Sequence, residues 1–145
     1  MSFVKNPISL ISTFLWIGFV CAISFMEAWL KFSAPGITLP LGLGIGRLVF
    51  DALNKVEWVF ALAILVSGIF VKGRRLDPIN IAFAIPLVLL IIQTFWTLPA
   101  LDARAELIIN VHDLPSSNLH FYYVAMEVFK VISLLLFGIK HFKSN

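Results

Sequence analysis

Four long apolar segments constrain this chain more than any other feature of its sequence. They cover residues 8–30, 46–71, 79–98 and 120–139. Each is near the roughly 20 residues that a helix needs to cross the hydrocarbon core of a bilayer. Because lipid offers no hydrogen bonds to a bare backbone, such segments are stable there as helices. The pattern predicts an all-α integral membrane four-helix bundle, with residues 1–145 forming a single domain.

The composition agrees with a membrane protein and excludes several other classes. Of 145 residues, 60% are hydrophobic and only 13% are charged, which is unlike a soluble domain. The net charge is +3, but the basic residues stand at segment ends and form no basic run with interleaved aromatics, so no nucleic-acid partner is expected. The single cysteine, Cys21, excludes an intrachain disulfide.

The ends of the segments predict how the chain sits in the membrane. The apolar run from Ile8 to Phe25 is too long for a secretory signal and is read as a retained first helix. Lys5 and the basic clusters at residues 72–75 and 140–143 fall on one side of the four spans. The positive-inside rule therefore places both termini in the cytoplasm, and the protein in a cell membrane of the bacterial inner-membrane type.

The two connectors on the other side differ from each other. Residues 32–46 hold two prolines and four glycines with almost no charge, which predicts an apolar connector lying along the interface. The glycines at 42, 44 and 46 favour close helix packing rather than a phosphate-binding turn. Residues 99–119 are polar, with a short interfacial helix expected around Asp102 to Glu106 and a cap at Ser117 or Asn118. Asp77 and Pro78 predict the start of the third helix, and Pro86 a kink within it.

A polar stripe marks the fourth segment. His120, Tyr123, Glu127 and Lys130 fall within an arc of roughly 80° on one helix face, while the other faces are apolar. A charge at the centre of a bilayer costs at least about 2.5–3.5 kcal/mol, so the stripe is expected to face protein or a wet cavity.

Polar residues on the other helices extend this stripe to a predicted ligand-binding cluster. We expect the cluster to lie in the outer half of the bundle and to bind a small ligand or ion from the outward face. These residue types do not indicate a particular reaction, so no catalytic residue is assigned. The predicted ligand-binding residues are Glu27, Lys31, Arg47, Glu57, Gln93, His120, Tyr123, Glu127 and Lys130.

Two alternatives use the same side chains. In the first, the protein is a structural or accessory subunit whose polar groups only hold the helices together. Glu27 would pair with Lys31, Glu127 with Lys130 or Arg47, and Glu57 would be held neutral or bonded to Asn54 and Gln93. In the second, a membrane oxidoreductase or oxygenase uses a metal or quinone at the cluster. The candidate metal ligands are Glu27, Glu57, His120 and Glu127, although the Glu-x-x-His spacing of di-iron bundles is absent from the sequence. The small residues Gly42, Gly44, Gly46, Ala61 and Ala63 would suit a homo-oligomer.

Several short motifs resemble one known family. They are Leu15-Trp16-Ile17-Gly18, the stretch Phe25 to Phe32, the stretch Gly46 to Phe50 with Glu57, and Ser117-x-x-His120. Together they resemble the four-helix membrane family that includes transmembrane protein 205. The resemblance implies four spans and no established reaction.

Overall fold

The computed structural model describes residues 3–4, 6–70, 78–111 and 114–143. Four helices make up nearly all of these residues. Helix α1 spans Pro7–Ser33 and α2 spans Leu39–Phe70. Helix α3 runs without interruption through Pro78–Ile92, Gln93–Thr97 and Leu98–Val111, and α4 spans Leu119–Ile139. All four are long and apolar enough to cross a membrane, which confirms the predicted number and type of elements.

Helix α1 has a well-defined start and an irregular second half. The Asn6 side chain accepts a hydrogen bond from the Ser9 amide, and Pro7 occupies the first helical position. From Cys21 to Glu27 the helix widens to π geometry, and its last turn tightens to 3₁₀ geometry. The chain then reverses through Pro35 and Gly36, whose φ of 83° and the bond from the Ile37 amide to the Ala34 carbonyl (3.2 Å) are typical of a type II turn.

Helix α2 begins seven residues before the predicted start, so the expected apolar connector at residues 32–46 is wrong for its second half. Thr38 caps the helix by accepting a hydrogen bond from the Leu41 amide at 3.4 Å, and Pro40 fits the first turn. Close packing is confirmed at two of the three glycines. A Cβ on Gly42 would lie 2.1 Å from the Phe32 ring and one on Gly46 3.1 Å from Lys31 Nζ, whereas Gly44 faces open space.

Helix α3 continues through the region where a separate interfacial helix was predicted. Pro99 has no amide hydrogen, so it cannot donate the usual helical hydrogen bond to the Phe95 carbonyl. The helix takes π geometry over Gln93–Thr97, the turn that contains this carbonyl. The residues from Leu98 to Val111 then extend the same helix. Pro86 lies buried inside α3, and the predicted cap at Asp77 is outside the described residues.

The two ends of the bundle can be distinguished by what they hold. Strands β1 (Phe3–Val4) and β2 (Phe142–Lys143) pair antiparallel, which brings the two termini together at one end, called here the terminal end. The turn at residues 34–38 and the segment 114–118 lie at the other, called the connector end. There Ser117 Oγ accepts from the Leu119 amide at 3.2 Å, while the Asn118 side chain makes no capping hydrogen bond.

The distribution of side chains is inverted relative to a soluble protein. Large apolar groups cover the outer surface, with Leu48 74% exposed and Phe70 79% exposed. The interior combines an apolar core with fully buried polar groups. The core residues are Trp16, Val20, Ala61, Ile64, Phe83, Leu90, Leu134 and Phe137.

Candidate functional site

Five buried side chains form one hydrogen-bonded assembly, which we call the ion network: Trp16, Glu57, Gln93, Glu127 and Lys130. The Lys130 ammonium lies 2.5 Å from Glu57 Oε1 and 2.9 Å from Glu127 Oε1. The Trp16 indole N–H donates to Glu57 Oε1 at 2.8 Å, and the Gln93 amide N–H donates to Glu127 Oε1 at 2.6 Å. Lys130 therefore joins two carboxylates, each of which has a second donor.

All four helices contribute to the ion network. Trp16 comes from α1, Glu57 from α2, Gln93 from α3, and Glu127 and Lys130 from α4. Every member is at most 1% exposed. The network lies near the middle of the helices, about 15 Å along α2 from Arg47, since ten residues of helix rise by that distance. The prediction that the cluster lies in the outer half of the bundle stays a prediction, because the fold alone gives neither the membrane nor the orientation of the helices.

Three buried polar atoms next to the ion network have no hydrogen-bond partner among the described residues. They are Ser24 Oγ, Gln93 Oε1 and Glu127 Oε2. The Tyr123 side chain, itself 2% exposed, lies beside both Ser24 and Glu127. A buried polar atom without a partner costs about 1–3 kcal/mol, so the hydrogen bonds among the described residues leave the polar interior incompletely satisfied.

A second polar group crosses between α2 and α3. Thr94 Oγ1 accepts hydrogen bonds from Asn54 Nδ2 at 2.9 Å and from Trp58 Nε1 at 3.0 Å, and it donates to the Leu90 carbonyl at 2.7 Å. The predicted contacts of Glu57 with Asn54 and Gln93 are therefore wrong. Asn54 bonds Thr94, and Gln93 bonds Glu127.

The other charged residues of the predicted cluster, Glu27, Lys31 and Arg47, form ion pairs at the connector end. Lys31 Nζ lies 3.3 Å from Glu27 Oε2, as the i,i+4 spacing predicted, and sits 5.4 Å from the centre of the Phe50 ring. Arg47 binds both Asp102 oxygens, at 2.5 and 2.9 Å. Of the two partners predicted for Glu127, Lys130 is confirmed. Arg47 is not its partner, because the continuation of α3 brings Asp102 beside Arg47 instead.

A cavity of about 880 Å³ lies at the connector end, between these pairs and the ion network. Its polar lining includes Lys31, Arg47, Asn54, Asp102 and His120. The rest is mainly apolar, with Phe50 on the wall. The Phe50 ring packs edge-on against Tyr123, with centroids 5.3 Å apart, so Tyr123 stands between the cavity and the ion network. The apolar lining residues are Ala28, Phe32, Leu39, Leu43, Leu48, Phe50, Leu98, Pro99, Leu101 and Ala105.

The nine predicted ligand-binding residues thus separate into two groups. Lys31, Arg47 and His120 line the cavity, with Glu27 bonded to Lys31. Glu57, Gln93, Glu127 and Lys130 form the ion network, with Tyr123 between the two groups.

The four candidate metal ligands are not gathered into one site. In the part of the chain that the structure describes, no three histidine, cysteine, aspartate or glutamate residues lie close enough together to hold a metal ion. Glu57 and Glu127 are instead bridged by the Lys130 ammonium, while Glu27 binds Lys31.

Two tryptophans that were not predicted as part of the cluster belong to the polar interior. Trp16 donates to Glu57, and Trp58 donates to Thr94. The available signal was chemical. An indole N–H buried in an apolar bundle needs an acceptor, so a tryptophan inside a predicted span points to a polar group on a neighbouring helix.

These features define an all-α four-helix bundle with an apolar surface, an ion network at its centre and a cavity at its connector end. Comparison of the chain with family models, curated proteins and solved structures finds no match. The resemblance to the family of transmembrane protein 205 stays a prediction.

Proposed function

We propose that this chain crosses the bilayer four times and binds a small lipid-soluble molecule in the connector-end cavity. The membrane part of the proposal is supported by the inverted side-chain distribution. The faces that expose Val59, Ile69 and Phe70 to the surroundings match lipid. The charged groups of Glu57, Glu127 and Lys130 are turned inward.

The proposed orientation has both termini in the cytoplasm of a bacterial cell. In the sequence, Lys5, the run at residues 72–75 and the tail at 140–143 flank the spans on one side, whereas Lys31, Arg47 and Arg104 flank them on the other. An excess of lysine and arginine marks cytoplasmic segments.

Reporter fusions test this orientation. Green fluorescent protein fused after Lys143 is expected to fluoresce, because that position is cytoplasmic, and alkaline phosphatase at the same position is expected to be inactive. Fusions after Ser116, in the outward connector, should give the opposite pair of results. Active phosphatase at Lys143 would overturn the orientation.

The connector-end cavity carries the binding proposal. Its volume falls within the range of about 300–1,000 Å³ that is typical of small-molecule sites, and it combines an apolar wall with a few polar groups. Among the described residues, the Lys31 ammonium uses only one of its donors, toward Glu27, and His120 also lines the cavity. A lipid-soluble molecule with carbonyl or carboxylate oxygens would complement these donors.

Filling the cavity tests the binding proposal. Gly44 lines the cavity, and a Cβ built there meets nothing within 4 Å, so Gly44→Leu adds apolar volume without a backbone clash. We expect organic molecules extracted from the purified protein and measured by mass spectrometry to include one that falls about tenfold in this variant, as loss of about 1.4 kcal/mol of binding would give.

Gly68→Leu is the matched control, because Gly68 lies in the same helix, away from the cavity, and also has open space at its Cβ. It should keep the bound molecule at the wild-type level. A wild-type protein that carries no such molecule, or an equal amount in the two variants, would contradict the proposal and favour the structural or accessory alternative. A bound quinone would favour the oxidoreductase alternative.

A further inference from the structure

We propose that the ion network is a proton-binding site, in which Glu127 carries one proton on Oε2 and donates it to Gln93 Oε1. This inference concerns the centre of the bundle and does not depend on a ligand in the connector-end cavity. It rests on the charge of the network and on two buried atoms that a single proton would satisfy together.

The charge of the ion network is unbalanced without an added positive charge. Two carboxylates, Glu57 and Glu127, face one ammonium, Lys130, and all three are at most 1% exposed. An uncompensated charge in such a place is strongly unfavourable, and buried groups usually become neutral instead. Two further cations at the connector end, Lys31 and Arg47, have carboxylate partners of their own. One proton makes the network neutral.

The hydrogen bonds indicate which carboxylate holds the proton. Glu57 Oε1 accepts from both the Trp16 indole and the Lys130 ammonium, which favours its ionised form. Glu127 Oε1 likewise has two donors, Gln93 and Lys130, but its Oε2 has no partner among the described residues, and neither has Gln93 Oε1. When Glu127 is ionised, both of these oxygen atoms can only accept hydrogen bonds, so they cannot bond to each other.

A proton on Glu127 Oε2 changes that oxygen into a donor. A carboxylic acid and a primary amide that already share one N–H to oxygen bond can then form a second, from the acid O–H to the amide oxygen, which closes a ring. The Gln93 N–H to Glu127 Oε1 bond at 2.6 Å is the first half of this arrangement. One proton thus satisfies two unpartnered buried atoms and removes the unbalanced charge.

The other groups that face Glu127 do not supply the missing charge. They are the Ser24 hydroxyl from α1, Glu57 from α2, Gln93 from α3, and Tyr123 and Lys130 from α4, while the exposed Cys21 thiol of α1 is neutral as a thiol. Of these, only Lys130 is cationic, and it is already shared between the two carboxylates.

Two isosteric variants test the assignment in the full-length protein in detergent. Glu127→Gln replaces a neutral acid with a neutral amide that can still donate to Gln93 Oε1, so its thermal unfolding midpoint is expected to stay near the wild-type value. Glu57→Gln has the same change in shape but removes the negative charge that balances Lys130. Its midpoint should fall well below that of Glu127→Gln.

Infrared spectroscopy provides a readout that does not depend on stability. The carbonyl stretch of a protonated carboxylic acid, separate from the carboxylate band, should be present in the wild-type protein and absent from Glu127→Gln. If Glu57→Gln fails to fold, this comparison decides the question alone.

Three results would overturn the proposal. The first is a midpoint for Glu127→Gln as low as that of Glu57→Gln, or lower. The second is a wild-type spectrum without an acid band that Glu127→Gln removes. The third is a wild-type midpoint that rises with sodium chloride but not with choline chloride, because a bound sodium ion, rather than a proton, would then balance the charge.

Discussion

Replacing Lys130 with methionine is expected to lower the free energy of unfolding by on the order of 3–5 kcal/mol, the range found when one partner of a buried ion pair is removed. Methionine fills similar space but leaves Glu57 and Glu127 without the ammonium that joins them. The measurement is an equilibrium unfolding titration of the purified protein with sodium dodecyl sulfate in mixed micelles.

The chain contains a matched control for this substitution. Lys55 forms an i,i+4 pair with Asp51 at 2.6 Å, but its side chain is 73% exposed, and such pairs contribute only about 0–1 kcal/mol. Lys55→Met should therefore change stability little. The double variant Lys130→Met/Glu57→Gln should recover part of the loss, because it removes a negative charge along with the ammonium. Equal effects of Lys130→Met and Lys55→Met would show that the ion network does not stabilise the fold.

The sequence predicted the four helices because long apolar segments have few alternatives, but it did not predict where α2 begins. The glycines at 42, 44 and 46 have low helix propensity and suggested a loop. Tertiary contacts outweigh that propensity, since Gly42 and Gly46 let Phe32 and Lys31 approach α2 closely. The sequence does contain a start signal for this helix, because Thr38 is a residue type that caps helices and Pro40 suits the first turn. In the structure these two residues mark the start of α2.

The length of α3 was hidden by Pro99. A proline usually ends a helix because it removes one backbone hydrogen bond and crowds the preceding turn. Here the turn widens to π geometry from Gln93 to Thr97, and the helix continues to Val111. Whether a helix ends or adjusts in this way depends on packing that a single segment does not reveal.

The site could be predicted as a set of residues but not as a set of partners. Helical spacing identified the polar stripe with Glu127 and Lys130 and required it to face inward. The partner of Lys130 across the bundle, Glu57, is 73 residues away in sequence. Assigning Lys130, rather than Asn54 or Gln93, as the partner of Glu57 requires the depth and rotation of four helices, which follow from packing of the whole bundle.

Replacing Trp16 with phenylalanine is expected to lower the free energy of unfolding by about 1.5–3 kcal/mol, the usual contribution of a hydrogen bond to a charged group. Phenylalanine keeps a six-membered aromatic ring that can pack edge-on against Phe83, whose centroid lies 6.5 Å from that of Trp16. The substitution removes the indole N–H that donates to Glu57 at 2.8 Å, together with the second ring of the indole. Trp29→Phe is the control, because Trp29 lies in the same helix and is 62% exposed.

A double-variant cycle distinguishes this hydrogen bond from general packing. If the Trp16 indole mainly stabilises the ionised Glu57 carboxylate, then Trp16→Phe should cost less in a Glu57→Gln background, because a bond to a neutral amide oxygen contributes only about 1 kcal/mol. If packing of the larger ring is what matters, the two costs add, since Glu57→Gln leaves the apolar surroundings of Trp16 unchanged. Additive costs would therefore remove Trp16 from the ion network and leave Lys130 as the principal partner of Glu57.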